Sequence, residues 1–219
     1  MNKVHLIDCM EFMKGIPDKY YELAIVDPPY GIDAGNMTGG AGKNKQWDKG
    51  KDWDKEIPTD EYFIELCRVS KNQIIWGGNY FPLPPTKCFL IWDKKNDGRD
   101  FAECEMAWTS FDMVARMYRM RPMNMDGGKI HPTQKPVALY KWLLKNYAKP
   151  NDKIFDSHVG SGSIRIACHD MGFDFTGCEI DKDYWQAQEE RFNRHVMQGD
   201  LFSGAEIQSS VYQNELIKC

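Results

Sequence analysis

The stretch Lys153-Ile-Phe-Asp-Ser-His-Val-Gly-Ser-Gly-Ser163 decides the fold class of this chain. Its apolar residues up to Asp156 predict a buried strand, a glycine-rich turn follows, and helical spacing begins at Ser163. Glycines at positions 160 and 162 allow the backbone to approach a ligand closely, and the N-terminus of the helix offers amide donors to an anionic group. Strand, turn and helix in this order are typical of an α/β domain.

A second acid extends this constellation. Glu179 ends the next predicted strand, nineteen residues after Gly160, where a carboxylate accepts the ribose hydroxyls of a nucleoside cofactor. Arg165 stands where a dinucleotide fingerprint has its third glycine, which favours a single nucleoside over a dinucleotide. A plain α/β turn with a surface Glu179 remains the alternative.

The rest of the chain alternates short apolar strands with amphipathic helices, so we expect one domain over residues 1–219. Two stretches look irregular. Residues 31–55 are rich in Gly, Lys, Asn and Asp, and we expect this loop to be mobile in the free protein. Residues 117–133 fit neither a strand nor a helix. Strands are predicted at 23–27, 74–76, 89–92, 105–109, 153–156 and 173–178, and helices at 58–69, 137–147, 163–171 and 184–197.

Composition limits the class of protein. The seven cysteines include no CxxC pair, which indicates free thiols in a reducing compartment and no metal site. The start of the chain is not a signal peptide and no apolar run is long enough to span a membrane, so we expect a cytoplasmic protein.

Charge is unevenly distributed along the chain. The net charge is −4, yet residues 111–149 hold eight basic and two acidic residues. A basic segment on an acidic body suits a local contact with a polyanion, although a solvated face fits the charges equally well. The candidate residues for such a contact lie in a short insert at about 110–130 and are Arg116, Arg119 and Arg121.

A second motif, Asp27-Pro-Pro-Tyr30, follows a predicted buried strand. Pro28 and Pro29 remove two backbone donors but leave their carbonyls as acceptors. Asp27 adds a carboxylate at the carboxyl end of a strand, where ligands bind in open α/β sheets. Tyr30 adds a flat aromatic face. An acid, a carbonyl and an aromatic ring suit the exocyclic amine of a planar base. The alternative is that the motif is only a proline-rich turn after a strand.

This motif, placed before the glycine-loop strand, resembles the DNA amino-methyltransferases of the circularly permuted subgroup. Further segments resemble blocks of that family in the same order, namely 6–17, 76–81, 91–94, 105–108 and 131–136, so that the resemblance covers about residues 4–195. It implies an α/β, Rossmann-like methyltransferase fold with a mostly parallel mixed sheet, one antiparallel strand and flanking helices. It also implies S-adenosylmethionine as cofactor and double-stranded DNA as partner, with a dimer as one option for the oligomeric state.

The resemblance also implies residue roles. The base pocket would be formed by Asp27, Pro28, Pro29 and Tyr30. S-adenosylmethionine would be held by Asp156, Gly160, Ser161, Gly162 and Glu179, with Asp8 near its adenine and Thr133 and Lys135 near its methionine end. For Asp8 a helix-capping role stays open, and for Lys135 a contact with DNA phosphate stays open.

The chain departs from the family at Ser157 and His158, where Pro-Phe is usual. We expect Ser157 to leave the cofactor loop freer than proline would. We also expect His158 to become charged near pH 6.5 and to weaken binding of the cationic cofactor.

The expected reaction is direct methyl transfer to a base that is flipped out of the duplex. Asp27 favours adenine N6, because cytosine-N4 members of the family more often have Ser at that position. Cytosine N4 methylation and a non-catalytic DNA-binding relative remain alternatives. An RNA methyltransferase is disfavoured by the motif order and by Asp27, and a nicotinamide oxidoreductase by Arg165.

Overall fold

The computed structural model describes residues 2–33, 54–98, 102–122, 130–131 and 133–198. Most of the predicted loop at 31–55 and part of the predicted insert at 110–130 therefore lie outside the described residues. The strands are β1 Asn2–Leu6, β2 Tyr21–Val26, β3 Ser70–Trp76, β4 Leu90–Asp93, β5 Cys104–Thr109, β6 Arg116–Arg119, β7 Lys153–Asp156 and β8 Asp174–Glu179. The helices are α1 Cys9–Lys14, α2 Asp60–Val69, α3 Val137–Tyr147, α4 Ser163–Met171 and α5 at 182–198.

All eight described strands form one sheet in the order β1-β8-β7-β2-β3-β5-β4-β6. Only β5 runs against the others, since it pairs antiparallel with both β3 and β4 while the remaining pairs are parallel. This agrees with the predicted mixed sheet with one antiparallel strand. The amino end of β5 therefore lies at the same edge of the sheet as the carboxyl ends of its neighbours.

Buried apolar side chains cover both faces of the sheet, as expected for parallel strands between helices. One cluster joins the sheet to α3 and α4, with Leu143 and Ile164 among its members. The other joins it to α1 and α2 through Met13 and Leu66. Both clusters hold the central strands rigid, so the loops at the carboxyl edge of the sheet start from fixed positions.

Helix α4 shows why the glycine loop ends where it does. Gly162 immediately precedes the helix with φ of 72°, and Gly172 ends it with φ of 74°. Both angles lie in the left-handed region that glycine adopts without steric penalty. The predicted strand, turn and helix around residues 153–172 are therefore confirmed.

The structure contains elements that the sequence pattern did not predict. Strand β1 and helix α1 lie within residues 2–14, and Asp8 caps α1 by accepting hydrogen bonds from the amides of Met10 and Glu11. The stretch 117–133, which looked irregular in sequence, begins within strand β6, which pairs with β4. Both missed strands lie at the edges of the sheet, where only one neighbour shapes the burial pattern.

Candidate active site

The Asp27-Pro-Pro-Tyr30 turn begins directly after β2 and is anchored by a buried acid. Oδ1 of Asp54 accepts the backbone N–H groups of Tyr30 and Gly31, at 2.5 and 3.0 Å. Since the two prolines donate nothing, these are the amides through which the turn is fixed. Asp54 stands in a polar stretch of the sequence, and nothing in that stretch distinguishes it from its neighbours.

The ring of Tyr30 is held by the segment after β3. Gly77 has φ of 71°, and its missing side chain leaves the space that the Tyr30 ring occupies. Tyr80 stacks on Tyr30, with 5.0 Å between centroids and 13° between planes, and Phe81 meets it edge-on. Burial and the charge of Asp27 raise the pKa of Tyr30, so its hydroxyl stays protonated and donates to Oδ1 of Asp27.

The other oxygen of Asp27 accepts from a buried lysine. Nζ of Lys135 lies 2.5 Å from Oδ2 of Asp27, and its side chain is only 1% exposed. The ammonium also lies 5.2 Å from the ring centre of Trp76. This burial argues against the open alternative of a DNA-phosphate contact, and it places Lys135 beside Asp27, the predicted base-pocket acid.

Glu105 and Lys94 continue this charge network. Oε2 of Glu105 lies 3.0 Å from Nζ of Lys135, and its Oε1 lies 2.6 Å from Nζ of Lys94. Burial raises the pKa of Asp27, against the opposing effect of Lys135. Burial alone would also raise the pKa of Glu105, but its two lysine partners lower it. Charges therefore alternate from Asp27 to Lys94.

The glycine loop joins the strand ends of β7 and β8. The amide of Gly160, whose φ is 50°, donates to Oε2 of Glu179 at 2.8 Å. The amide of Asp181 donates to Oε1 at 2.9 Å, so each carboxylate oxygen has one fixed partner and spare lone pairs. Burial raises the pKa of Asp156 to about 8, and the nearby Asp27 adds to the increase. Asp27 and the glycine loop thus lie close enough to interact.

A small cleft opens beside this loop. Asp8 and Glu179 contribute carboxylates, and Ile7 and Ile180 contribute exposed apolar side chains. Asp8 still caps α1 through Oδ1, so the capping role is realised and Oδ1 faces the helix. The residues that line the cleft are Ile7, Asp8, Cys9, Ser157, His158, Glu179 and Ile180.

Ser157 and His158 behave differently from the sequence expectation. Ser157 is buried and its Oγ lies 2.7 Å from the hydroxyl of Tyr62 and 2.8 Å from Nδ1 of His158, so its side chain is fixed. His158 packs edge-on against Tyr62. Burial lowers the pKa of His158 to about 4, although Asp8 opposes this. The expectation that His158 is charged near pH 6.5 is wrong, because the half-buried ring disfavours the cation.

Two further predicted cofactor residues, Thr133 and Ser161, are held by neighbouring side chains of His131 and Arg191. Oγ1 of Thr133 lies 3.1 Å from Nδ1 of His131, whose ring is the nearest group to Gly160 on its open side. The carbonyl of Ser161 accepts from Arg191 on α5 at 2.7 Å. His131 and Arg191 were not predicted as site residues. His131 lies in a block already singled out by the resemblance, whereas nothing in the sequence distinguishes Arg191 from other helix residues.

The three predicted DNA-binding arginines lie on or after the edge strand β6 and are exposed. Arg119 donates to Asp93 at 3.1 Å, and Arg116 to Asn146 at 3.2 Å. Because β6 is parallel to β2, Arg119 and Arg121 lie at the same edge of the sheet as Asp27. Four strand spacings separate β2 from β6, which places them about 20 Å apart.

Within the described residues, no helix is long and apolar enough to cross a membrane. The same residues hold no cluster of His, Cys, Asp or Glu that could bind a metal ion. The cysteines that the structure describes are all free thiols.

The sequence of this chain is similar to those of known DNA methyltransferases. A family model for N6/N4 methyltransferases, described as DNA methylase, matches residues 89–190. The Type II methyltransferase M2.LlaDCHI of Lactococcus lactis subsp. cremoris is 24% identical over an alignment of length 243. This alignment covers 88% of this chain and 89% of that protein. Both matches support the prediction of a DNA amino-methyltransferase.

Solved structures share the fold. The complex of M1.HpyAVI with SAM has a TM-score of 0.61 at 20% identity, and the match covers 87% of this chain and all of that one. The cytosine-N4-specific PvuII DNA methyltransferase has a TM-score of 0.60 at 13% identity, with 87% and 86% covered. The predicted Rossmann-like methyltransferase fold is confirmed.

Proposed function

We propose that this chain is an S-adenosylmethionine-dependent DNA methyltransferase that modifies the exocyclic amine of a flipped base, adenine N6. One observation carries the proposal. The acid of the Asp27-Pro-Pro-Tyr30 turn and the glycine loop lie at the carboxyl ends of the adjacent parallel strands β2 and β7. A base amine held by the first can therefore meet a methyl donor held by the second.

The residues around the glycine loop fit a nucleoside with a charged tail. The carboxylate of Glu179 keeps lone pairs for ribose hydroxyls, and its amide partners fix its orientation. The apolar side chains of Ile7 and Ile180 line the cleft where a flat base would lie. Gly160 and Gly162 bring the backbone close to the ligand. When bound, S-adenosylmethionine supplies an electrophilic methyl group and leaves as a neutral thioether.

On the substrate side, Asp27 accepts an N–H bond of the amine, and the carbonyls of the two prolines offer a second acceptor. With both N–H bonds directed into the protein, the nitrogen lone pair points away toward the methyl donor. Tyr30 provides an aromatic surface for the base, and its position is fixed by Gly77 and by its own bond to Asp27. As the nitrogen is methylated it gains positive charge, which a nearby carboxylate stabilises until a proton leaves.

Adenine is proposed over cytosine because the amine acceptor is the carboxylate of Asp27. The family resemblance associates Ser at this position with cytosine N4 more often. DNA is proposed as the partner because the exposed Arg119 and Arg121, at the end of β6 and just after it, lie at the same sheet edge as Asp27. Double-stranded DNA would then contact residues 110–130 of a single methyltransferase domain that spans the chain.

A methylation assay tests the proposal. The purified chain is incubated with methyl-labelled S-adenosylmethionine and mixed-sequence duplex DNA, and the digested nucleosides are identified by mass spectrometry. We expect N6-methyladenine. We expect Asp27→Ala to abolish it and to leave cofactor affinity, measured by calorimetry, within about twofold of wild type, since Asp27 lies outside the cofactor loop. Asp18→Ala, which removes an exposed carboxylate that pairs with Arg68, is the matched control.

The outcomes separate the alternatives. N4-methylcytosine in the digest would support the cytosine enzyme. Cofactor and DNA binding without transfer to any base would support the non-catalytic relative. Near-wild-type turnover in Asp27→Ala would contradict the proposed mechanism.

A further inference from the structure

The charge network behind Asp27 contains one more acid than the site requires. Asp27 and Lys135 already form a complete ion pair, with 2.5 Å between their charged atoms. Glu105 then contacts the same ammonium from another side, at 3.0 Å, and is itself held by Lys94 at 2.6 Å. Lys135 is therefore shared between two carboxylates, and only one of them belongs to the Asp-Pro-Pro-Tyr turn.

The antiparallel strand β5 explains how Glu105 reaches this position. It is the second residue of β5, and the amino end of β5 lies at the sheet edge where β2 and β4 end. Lys94 directly follows β4 at the same edge. Strand β5 therefore supplies Glu105, and Lys94 is held just after β4 by its backbone N–H, which donates to the carbonyl of Glu103 at 2.9 Å.

Burying such groups is unfavourable unless they are paired, and buried ion pairs contribute little net stability. A second acid on a buried lysine therefore indicates a requirement of the site rather than of the fold. The requirement follows from the proposed reaction. Positive charge develops on the amine nitrogen, and an unshared ammonium beside Asp27 would oppose it.

We propose that Glu105 is a positioning residue for methyl transfer: through Lys135 it orients the carboxylate of Asp27 and offsets the positive charge of the ammonium beside it. This inference rests on the proposed function. With Glu105 present, the charges of Asp27, Lys135, Glu105 and Lys94 sum to zero, and without Glu105 they sum to +1. Without Glu105, Lys135 neutralises Asp27 and draws its carboxylate away from the amine.

The coupling has a measurable electrostatic consequence. Glu105 raises the pKa of Asp27, whereas Lys135 lowers it. Removing the charge of Glu105 therefore shifts the titration of Asp27 to lower pH. The other titratable groups that interact with Asp27 are Tyr30, Tyr62, Tyr140 and Asp156. Glu105 also raises the pKa of Tyr30 and Tyr140, but burial holds the pKa of both tyrosines well above its usual value, so both stay neutral while Asp27 titrates.

The first experiment needs no catalytic activity. The Asp27 carboxyl carbon is followed by ¹³C NMR across pH in the full chain and assigned by its loss in Asp27→Asn. We expect Glu105→Gln to lower the midpoint by about one pH unit, the usual size of a close-charge effect. Glu103→Gln, the same change just before β5 on an exposed residue, is the control and leaves the midpoint unchanged. An equal midpoint in wild type and Glu105→Gln overturns the coupling.

The second experiment measures turnover and cofactor affinity. We expect Glu105→Gln to lower kcat about ten- to hundredfold, as when an orienting partner is removed, with an unchanged cofactor Kd. Glu105→Asp keeps the charge and should recover part of kcat, which also covers the case where Gln impairs folding. Full activity in Glu105→Gln with an active wild type refutes the inference alone. An inactive wild type that still shows the NMR coupling refutes the proposed function instead.

Discussion

Replacing Gly77 by alanine tests whether the placement of the Tyr30 ring limits the reaction. A β-carbon at position 77 would lie within 2.5 Å of Cδ1 and 2.7 Å of Cζ of Tyr30. Ordinary contact begins near 3.4 Å, so the ring must retreat by about 1 Å. Tyr80 and Phe81 pack around that ring, so the displacement also disturbs the segment after β3.

The substitution has a second effect that must be separated from the first. Gly77 has φ of 71°, and alanine in this left-handed region is destabilised by about 1 kcal/mol. Gly172 has φ of 74° but no atom within 4 Å of its would-be β-carbon. Gly172→Ala therefore carries the same backbone penalty without a clash and serves as the matched control.

We expect the backbone strain to lower the free energy of unfolding, measured by urea denaturation, by a similar amount in both variants. Gly77→Ala should lose more because the Tyr30 ring is also displaced. Only Gly77→Ala should lose turnover, by about 100-fold, because a 1 Å misplacement of a positioning group has effects of this size. Cofactor affinity should stay unchanged, since the glycine loop follows a different strand. A kcat for Gly77→Ala within twofold of that for Gly172→Ala would show that the position of Tyr30 does not matter.

Three further predictions follow from the site. Replacing the edge arginines Arg116, Arg119 and Arg121 by alanine should weaken DNA binding and flatten its dependence on salt, and an unchanged salt slope would mean that they form only a solvated face. His158→Phe should leave the pH dependence of cofactor binding unchanged between pH 6 and pH 8, because His158, with its pKa near 4, is neutral throughout. In the unfolded chain this histidine is protonated near pH 6.5, so protons favour the unfolded state as the pH falls from 6.5 to 4. The wild type should therefore lose on the order of 2 kcal/mol of stability over that range, and His158→Phe should not. Parallel curves of stability against pH for the two proteins would contradict the lowered pKa. Arg191→Met should weaken cofactor binding severalfold by releasing the carbonyl of Ser161, which calorimetry would detect as a higher Kd.

The sequence determined those parts of the fold that local patterns encode. The central strand β2 is a short apolar run followed directly by an acid, β7 ends in an acid, and the helices α3 and α4 have clear apolar spacing. The order of strand, glycine turn and helix was enough to predict the α/β class, and glycine at positions 160 and 162 permits the positive φ angles that the loop adopts. These features depend on residues that are close in the chain.

The edge strands could not be predicted in this way. Strand β1 is Asn-Lys-Val-His-Leu and β6 is Arg-Met-Tyr-Arg, and neither shows a decisive alternation of apolar and polar residues. Each is a strand because a neighbour offers a free row of backbone groups, β8 for β1 and β4 for β6. Pairing with a partner that is distant in sequence overrides weak local preference.

The chemistry of the site was decided by tertiary structure to a greater extent. The sequence predicted Asp27, Tyr30 and Glu179 by their places after strands, but it placed Lys135 at the cofactor's methionine end or on DNA phosphate. The fold brings Lys135 to Asp27 across 108 residues and buries it there, with Glu105 as its second partner, and its place at the methionine end of the cofactor stays a prediction. Burial also makes His158 neutral where its residue type alone suggested a charge near pH 6.5. Ionisation and ion pairing depend on solvent exclusion and on through-space distances, and both are set only when strands from separate parts of the chain meet at one edge of the sheet.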